Sequence, residues 1–386
     1  MLSQAIESVT LREIQDLVQY GYKESRRLEY KLLCPGDRDR DKKEFLADVS
    51  SFANTVGGYI LFGVREQDGT PKELVGIEGF DEDKERTRLE SILHYNLQPP
   101  ILGVELRCIS GGTKGPVVVM RIPRSSFAPH MITLQQASRF YGRHSNGKYQ
   151  MTYFDIRGAF MEQLELAERI HKWQAERIER ICCDDTPALL SIPERLIIHI
   201  VPLQTVGDEY AFSAQEVFAL KQHFLPMAIG GQRLRINVDG SISHSVQDDL
   251  QAYCQFFRSG RIESVLAGIV QNRDGRRFIP SVFFERIQVE AISRYFKGLR
   301  ALSIAPPIHL FFAIVGAKGA HMATKPAHFY NTTVIDRDYL RLPDVTCWDY
   351  EEDIPTLLRP VFDSVWNACG IEASPHFDKD GKWSTG

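Results

Sequence analysis

The sequence predicts an α+β protein of two domains. Segments alternating apolar and polar residues stand beside segments with helical apolar spacing, and the two kinds do not follow a regular strand–helix repeat. A length of 386 residues exceeds what a single ordinary core organises. The break Cys182-Cys183-Asp184-Asp185-Thr186-Pro187 separates a domain at 1–181 from a domain at 182–386.

The elements follow in order. Thr10 to Val18 reads as a short helix, with Thr10 as its cap and Glu13 three positions on. Arg27 to Leu33 alternates with period two, so Leu28, Tyr30 and Leu32 face a core while Arg27, Glu29 and Lys31 share the other face. From Asp41, Phe45, Val49, Phe52 and Val56 form a helical stripe, which Gly57-Gly58 ends. Tyr59 to Val64 is a buried strand closed by a turn at Asp68-Gly69. Lys84 to Leu97 is a helix stopped by Pro99-Pro100; strands follow near 101–108 and 117–122, with a pair near 130–141, and helix returns from Met151 to Ile181.

The second half is also α+β. Strands are expected at Leu196–Val201, Tyr253–Phe257, Ile262–Leu266 and Ile308–Val315, with a hairpin turn at Asp239-Gly240. Helices are expected at Phe283–Leu302 and Ile354–Cys369.

Composition bounds the function classes. Hydrophobic residues make up 43% and charged residues 25%, as in an ordinary globular protein. The seven cysteines are scattered without a C-x-x-C pair, so neither a disulfide framework nor a zinc knuckle is indicated. No leader is read at Met1 to Glu7, and the apolar stretch Ile308 to Ala317 is too short to span a bilayer; a cytoplasmic protein without a membrane partner is expected. There is no G-x-x-x-x-G-K-[ST], and Gly57 to Gly63 precedes a strand instead of opening a helix, so no nucleotide cofactor is expected.

Two features carry chemistry. The first is a set of carboxylates, Glu24 and Glu29 around one strand and Glu66 and Asp68 after the next. Converging carboxylates hold Mg²⁺ or Mn²⁺, which activate water and stabilise charge on a phosphodiester. Lys31 shares a strand face with Glu29 and would steady that charge. Glu24, Arg26, Arg27, Glu29 and Lys31 also read as a solvated, salt-bridged face. A simple crossover between the two strands makes them parallel and sets Glu66 at the opposite end of the sheet from Glu24.

The second is a charge asymmetry beneath a net charge of −4. Between Glu105 and Asp155 there is no acid, while Arg107, Lys114, Arg121, Arg124, Arg139, Arg143 and Lys148 are interleaved with Phe140, Tyr141 and Tyr149. Cations for phosphates and rings for bases suit a nucleic-acid surface, unless the residues point several ways around a small sheet. Arg121, Arg124, Arg139, Arg143 and Lys148, with Tyr141, are the candidate contacts.

Glu24-Ser25-Arg26-Arg27-Leu28-Glu29-Tyr30-Lys31 resembles the E-S-x-x-x-E-[FY]-K element of Schlafen-type AlbA_2 domains. Phe52 to Val64, FANTVGGYILFGV, resembles that family's F-A-N-T-x-G-G-Y-x-x-x-G-V signature, and Pro123–His130 and Arg139–Arg143 resemble its later strands. The resemblance covers roughly residues 15–165 and does not extend to the second half. It implies a mixed-sheet, nucleic-acid-binding N-terminal domain. By analogy with Schlafen-type nucleases it also implies a metal-dependent endoribonuclease for structured RNA such as tRNA, with Glu24, Glu29 and Glu66 or Asp68 as ligands. Arg65 stands where the nuclease members carry an acid. A part in antiviral defence follows from the same analogy. RNA is the favoured partner and DNA the other. The competing expectation is a non-catalytic DNA-binding regulator, and a third is an assembly platform. The second half is expected to recognise a partner, sense a trigger or form a homo-oligomer.

Overall fold

The computed structural model describes residues 6–206, 212–228, 233–247, 250–325, 328–329 and 333–384; Met1 to Ala5, over which no leader is read, lie outside the described residues. The chain divides into two compact units, Met1–Ala167 and Glu168–Gly386. The change of unit falls within a helix that runs to Cys182, upstream of the break at Cys182-Cys183.

In the first unit, α1 (Leu11–Gln19) opens with the capping box read from Thr10 and Glu13: Thr10 Oγ1 accepts the Glu13 N–H and the Glu13 carboxylate accepts the Thr10 N–H. Next come β1 (Leu28–Lys31), α2 (Asp39–Ala53) and β2 (Gly58–Phe62). Gly57, at φ +68°, closes α2 by donating its N–H to Phe52 O, which only a residue at ease in the left-handed region does without strain. The chain continues through β3 (Val64–Gln67), β4 (Thr70–Leu74), α3 (Glu82–Asn96), β5 (Leu97–Gln98), β6 (Glu105–Ser110) and β7 (Pro116–Ile122). It ends in β8 (Met131–Ile132), β9 (Arg139–His144), β10 (Gly147–Gln150) and α4 (Tyr153–Cys182).

The central sheet has the order β1-β2-β7-β6, with β1 parallel to β2 and the other pairs antiparallel. This is the mixed sheet the sequence led us to expect. One face buries Phe45, Val49 and Phe52 of α2 and Leu89 of α3 against Ile60, Val118 and Met120. The other packs Ile14 and Leu17 of α1 against Tyr30, Leu61 and Val119. A second sheet, β10-β9-β8-β5, is antiparallel.

Two strands are shorter than the periodicity implied. β1 stops at Lys31, and Leu32, assigned to the core by alternation, is exposed. β2 stops at Phe62 because Gly63, at φ +88°, turns the chain out of the sheet.

The second unit holds β11 (Arg195–Pro202), α5 (Ala214–Ala219), β12 (Arg233–Ile236), β13 (Gly240–Gln247), β14 (Leu250–Phe257), β15 (Ile262–Ala267), β16 (Gln271–Arg273) and β17 (Arg276–Pro280). After α6 (Ser281–Ala301) come β18 (Ile308–Val315), β19 (Ala320–Lys325), β20 (His328–Phe329), β21 (Tyr339–Arg341), β22 (Val345–Cys347) and α7 (Ile354–Ala368). The main sheet runs β12-β13-β14-β15-β11-β18-β21, with β22 also on β18, and every pair in it is antiparallel. Asp239-Gly240 makes the β12–β13 hairpin turn the sequence signals. α6 and α7 cover one face through residues such as Phe284, Tyr295, Phe362 and Trp366. The end of α4, with Ile178 and Ile181, covers Ile197, Tyr253 and Val265 on the other. Cys182 and Cys183 are exposed free thiols at the end of α4.

Candidate carboxylate site and nucleic-acid interface

β1 is an edge strand, so the N–H groups on its free side need partners. Glu24 supplies one: its Oε1 accepts the Tyr30 N–H at 2.9 Å. A tight turn, with Ser25 N–H on Leu28 O, folds the chain back to allow it. The motif's first glutamate is thereby fixed beside the strand that carries its second.

Alternation puts Glu29 and Lys31 on the face away from Tyr30, and that face is not solvated. α2 and β9 cover it, leaving Glu29 8% exposed. Glu29 Oε1 meets Lys31 Nζ at 2.9 Å, and Oε2 accepts from Arg143 Nη2. Arg143 is itself 1% exposed, lies 4.2 Å over the Phe52 ring and donates Nε to Ser25 O at 3.1 Å. Asp48, buried on α2, pairs with Lys148 Nζ at 2.7 Å and Lys31 Nζ at 3.4 Å. Glu44, one turn earlier, lies 3.7 Å from both lysines.

Arg143, Glu29, Lys31, Asp48 and Lys148 thus form a row of alternating charge. Burial raises the Glu29 carboxyl, but Arg143 and Lys31 outweigh it and hold its pKa below the usual range. Burial alone would lower the Lys31 pKa, and Asp48 and Glu29 reverse that, so the ammonium is retained.

Glu66 comes into range of Glu24 by a route the sequence did not show. β1 and β2 are parallel, as expected, yet Glu66 is not stranded at the far end of the sheet. Gly63 redirects the chain into the β3–β4 hairpin, whose turn residues Asp68 and Gly69 have φ of 51° and 70°. Glu66 Oε2 accepts the Gly69 N–H at 2.7 Å, and Gly69 O accepts the Glu24 N–H at 2.7 Å. The Glu24 carboxylate also lies against this glycine, where a Cβ would sit 3.4 Å from its Oε2, so the two acids bracket one glycine. Asp68 is exposed at the hairpin tip, and Arg65 is drawn away to Glu73 at 2.7 Å.

Burial raises the Glu24 carboxyl, the Tyr30 N–H opposes this, and repulsion from Glu29 and Glu66 adds to the rise. Among the described residues, the lysines and arginines at ion-pair distance serve Glu29, Asp48 and Glu44 and leave Glu24 and Glu66 without one. No three His, Cys, Asp or Glu side chains among the described residues are grouped as a ready metal cage. Two surplus oxygen donors under mutual repulsion do fit a hard divalent ion that completes its shell with water and phosphate oxygens.

The acid-free stretch does not make one open patch. Arg121 pairs with Glu105 at 2.9 Å, Arg124 with Glu162, Lys148 with Asp48, and Arg143 is buried on Glu29. Lys114 and Arg139 are exposed. Tyr141, expected to meet bases, faces inward and packs on the α2 core. Asn54 explains the polar residue of F-A-N-T: its Nδ2 donates to Tyr141 O at 2.9 Å and its Oδ1 accepts the His130 N–H at 2.7 Å. Sequence reading missed Asp48. Its signal was its place on the buried stripe, three residues after Phe45 and four before Phe52, where an acid requires a buried partner.

The Schlafen, AlbA_2 family model matches residues 24–152, the N-terminal part of the chain, and so places an AlbA_2 domain there. Both glutamates of the first element and the whole F-A-N-T block lie inside that match. Solved structures align with part of the chain, among them one from Corynebacterium diphtheriae and one from Nitrosomonas europaea. The DIP2311 protein from Corynebacterium diphtheriae is 11% identical, with a TM-score of 0.26, over 36% of this chain. The aligned part spans only 26% of the Corynebacterium protein's own length. The N-terminal domain of a RecG-related protein from Nitrosomonas europaea is 21% identical, with a TM-score of 0.28, over 37% of this chain and 92% of its own. No curated protein matches the sequence. No helix among the described residues is long and apolar enough to cross a membrane.

Proposed function

We propose that the AlbA_2 domain binds RNA and cleaves its backbone with Mg²⁺ or Mn²⁺ held by Glu24 and Glu66, with Asp68 at the tip of the same hairpin. The observation that carries this reading is the convergence of Glu29 and Glu66, from separate parts of the sequence, on Glu24, with Lys31 held against Glu29. When bound, the ion would supply a lowered pKa for attacking water and charge stabilisation on the phosphate. The chain's own residues do the rest. Glu29 keeps its cations and so orients Lys31, whose ammonium is partly exposed and positively charged for a phosphate oxygen. Exposed Arg139 and Lys114 contribute backbone attraction. Structured RNA such as tRNA is the substrate class, and the second unit recognises a partner or trigger.

A non-catalytic DNA-binding regulator is the second reading. It is favoured by one observation: Glu29 and Asp48 are already compensated by Arg143, Lys31 and Lys148, so the row is neutralised without a bound ion. The test incubates the protein with tRNA, single-stranded RNA and duplex DNA in Mn²⁺, Mg²⁺ or EDTA, beside Glu24→Gln. Metal-dependent RNA cleavage lost in the variant supports the nuclease. Tight duplex DNA binding that ignores the variant, without cleavage, supports the regulator.

A further inference from the structure

The β9–β10 hairpin has two faces. Lys148 is paired across the strands with Arg143, and both side chains reach inward to Asp48 and Glu29. Alternation therefore turns Phe140, His144 and Tyr149 to the opposite face. The Tyr149 ring lies over Gly142, where a Cβ would sit only 2.9 Å from it. It stacks on His144 with ring centres 4.0 Å apart and planes 5° from parallel. Phe140 meets Phe160 of α4 edge-on at 6.5 Å.

Immediately after the hairpin, α4 begins with Tyr153 and Phe154, which are 71% and 78% exposed. None of the five rings Phe140, His144, Tyr149, Tyr153 and Phe154 belongs to a core cluster of the described residues. Large apolar surface gathered on a folded domain calls for a partner. The electrostatics select its chemistry. All five rings lie in or beside the stretch without acids, and Arg26 is within electrostatic range of Tyr149. The carboxylate within electrostatic range of Tyr149, Asp155, is occupied by the Thr152 N–H and hydroxyl at 2.8 and 2.7 Å.

Resting on the nucleic-acid reading above, we infer that this outer face is a stacking strip for successive unpaired bases of a single strand. Tyr149 and His144 form its centre. The strip shares its wall with the carboxylate row, since the inner face of the same hairpin supplies Arg143 and Lys148. A duplex hides its base faces and gains little from such a surface, whereas an unpaired loop or end stacks on it.

The test measures fluorescence anisotropy of the full chain, in EDTA, with labelled oligouridine, oligothymidine and an RNA duplex. Tyr149→Ala and His144→Ala are expected to weaken single-strand binding about 5- to 100-fold. Tyr149→Phe is expected to stay within about twofold of the parent, as is duplex binding by all three variants. The uridine and thymidine arms decide between RNA and DNA as the source of the strand. Unchanged single-strand affinity in both alanine variants would overturn the inference, and so would an equal loss for single strand and duplex. A protein that needs Tyr149 for single strands but cleaves nothing in Mn²⁺ refutes the nuclease and leaves the strip standing. Cleavage with single-strand binding indifferent to Tyr149 and His144 does the reverse.

Discussion

Each unit buries a glutamate against an arginine, and the two sites behave differently. Glu263 in the second unit is 0% exposed and receives Arg177 through Nε and Nη2, both at 2.7 Å. Tyr253 OH donates to it at 2.8 Å, and His199 Nε2 lies at 3.0 Å. Burial raises this carboxyl, but the bonds from Arg177 and His199 prevail and hold it at about 2. Its oxygens are satisfied by Arg177, Tyr253 and His199, so it anchors α4 to the sheet. Glu29 has a more deeply buried arginine, yet it sits in a row with Lys31, Asp48 and Lys148, beside Glu24 and Glu66, which have no lysine or arginine at ion-pair distance among the described residues. A buried Glu–Arg pair alone is therefore weak evidence of a site. Surplus like charge at a partly open edge is better evidence.

Separating the partners breaks this comparison most strongly. Arg177→Leu leaves Glu263 buried without its cation and is expected to cost roughly 3–5 kcal/mol. Urea unfolding followed by far-UV circular dichroism, which reads both units, reports it, while any nucleic-acid binding by the first unit is expected to be unchanged. Arg143→Leu is expected to cost less in the same assay, because Lys31 stays on Glu29.

Acid is expected to separate the units next. His130 in the first unit is fully buried, and burial, opposed by a bond to Pro99 O, lowers its pKa to about 4. The unfolded chain binds that proton near pH 6.5 and the folded chain does not, so stability falls as pH drops from about 6.5 to 4, by roughly 3 kcal/mol. His130→Gln should flatten the slope of urea midpoint against pH across that window. Glu263, lowered to about 2, keeps its contribution until pH falls below about 4.5.

The smallest stability effect belongs to Glu24→Gln. Removing a half-exposed acid under repulsion is expected to leave stability unchanged or to raise it by a few tenths of a kcal/mol at pH 7, as thermal melting would show.

Local signals were legible in the sequence. Thr10 with Glu13, Gly57 after α2 and Asp68-Gly69 at the hairpin each act within a few residues, and each is found where its chemistry placed it. The site was only half legible. Glu24, Glu29 and Lys31 were visible as a motif, but the charges that neutralise Glu29 and Asp48 come from β9 and β10, more than ninety positions away. Alternation showed that Glu29 and Tyr30 oppose each other but could not show that α2 would cover the charged side. For the same reason alternation alone does not tell that Tyr141 packs on the α2 core while Tyr149 stacks on His144 on the other face: strand faces are assigned only when the partner strand is known. Glu66 depended on Gly63, whose positive φ undoes the separation that parallel strands imply.

The central claim is that surplus acid, and not a buried Glu–Arg pair, marks the working site. The initial rate of cleavage of a labelled structured RNA in Mn²⁺, compared for the parent, Glu24→Gln and Glu263→Gln below their melting temperatures, tests it most directly. The account predicts metal-dependent cleavage that Glu24→Gln lowers at least about 100-fold and that Glu263→Gln retains. Parental cleavage by Glu24→Gln, or none by the parent protein in any metal, would contradict it.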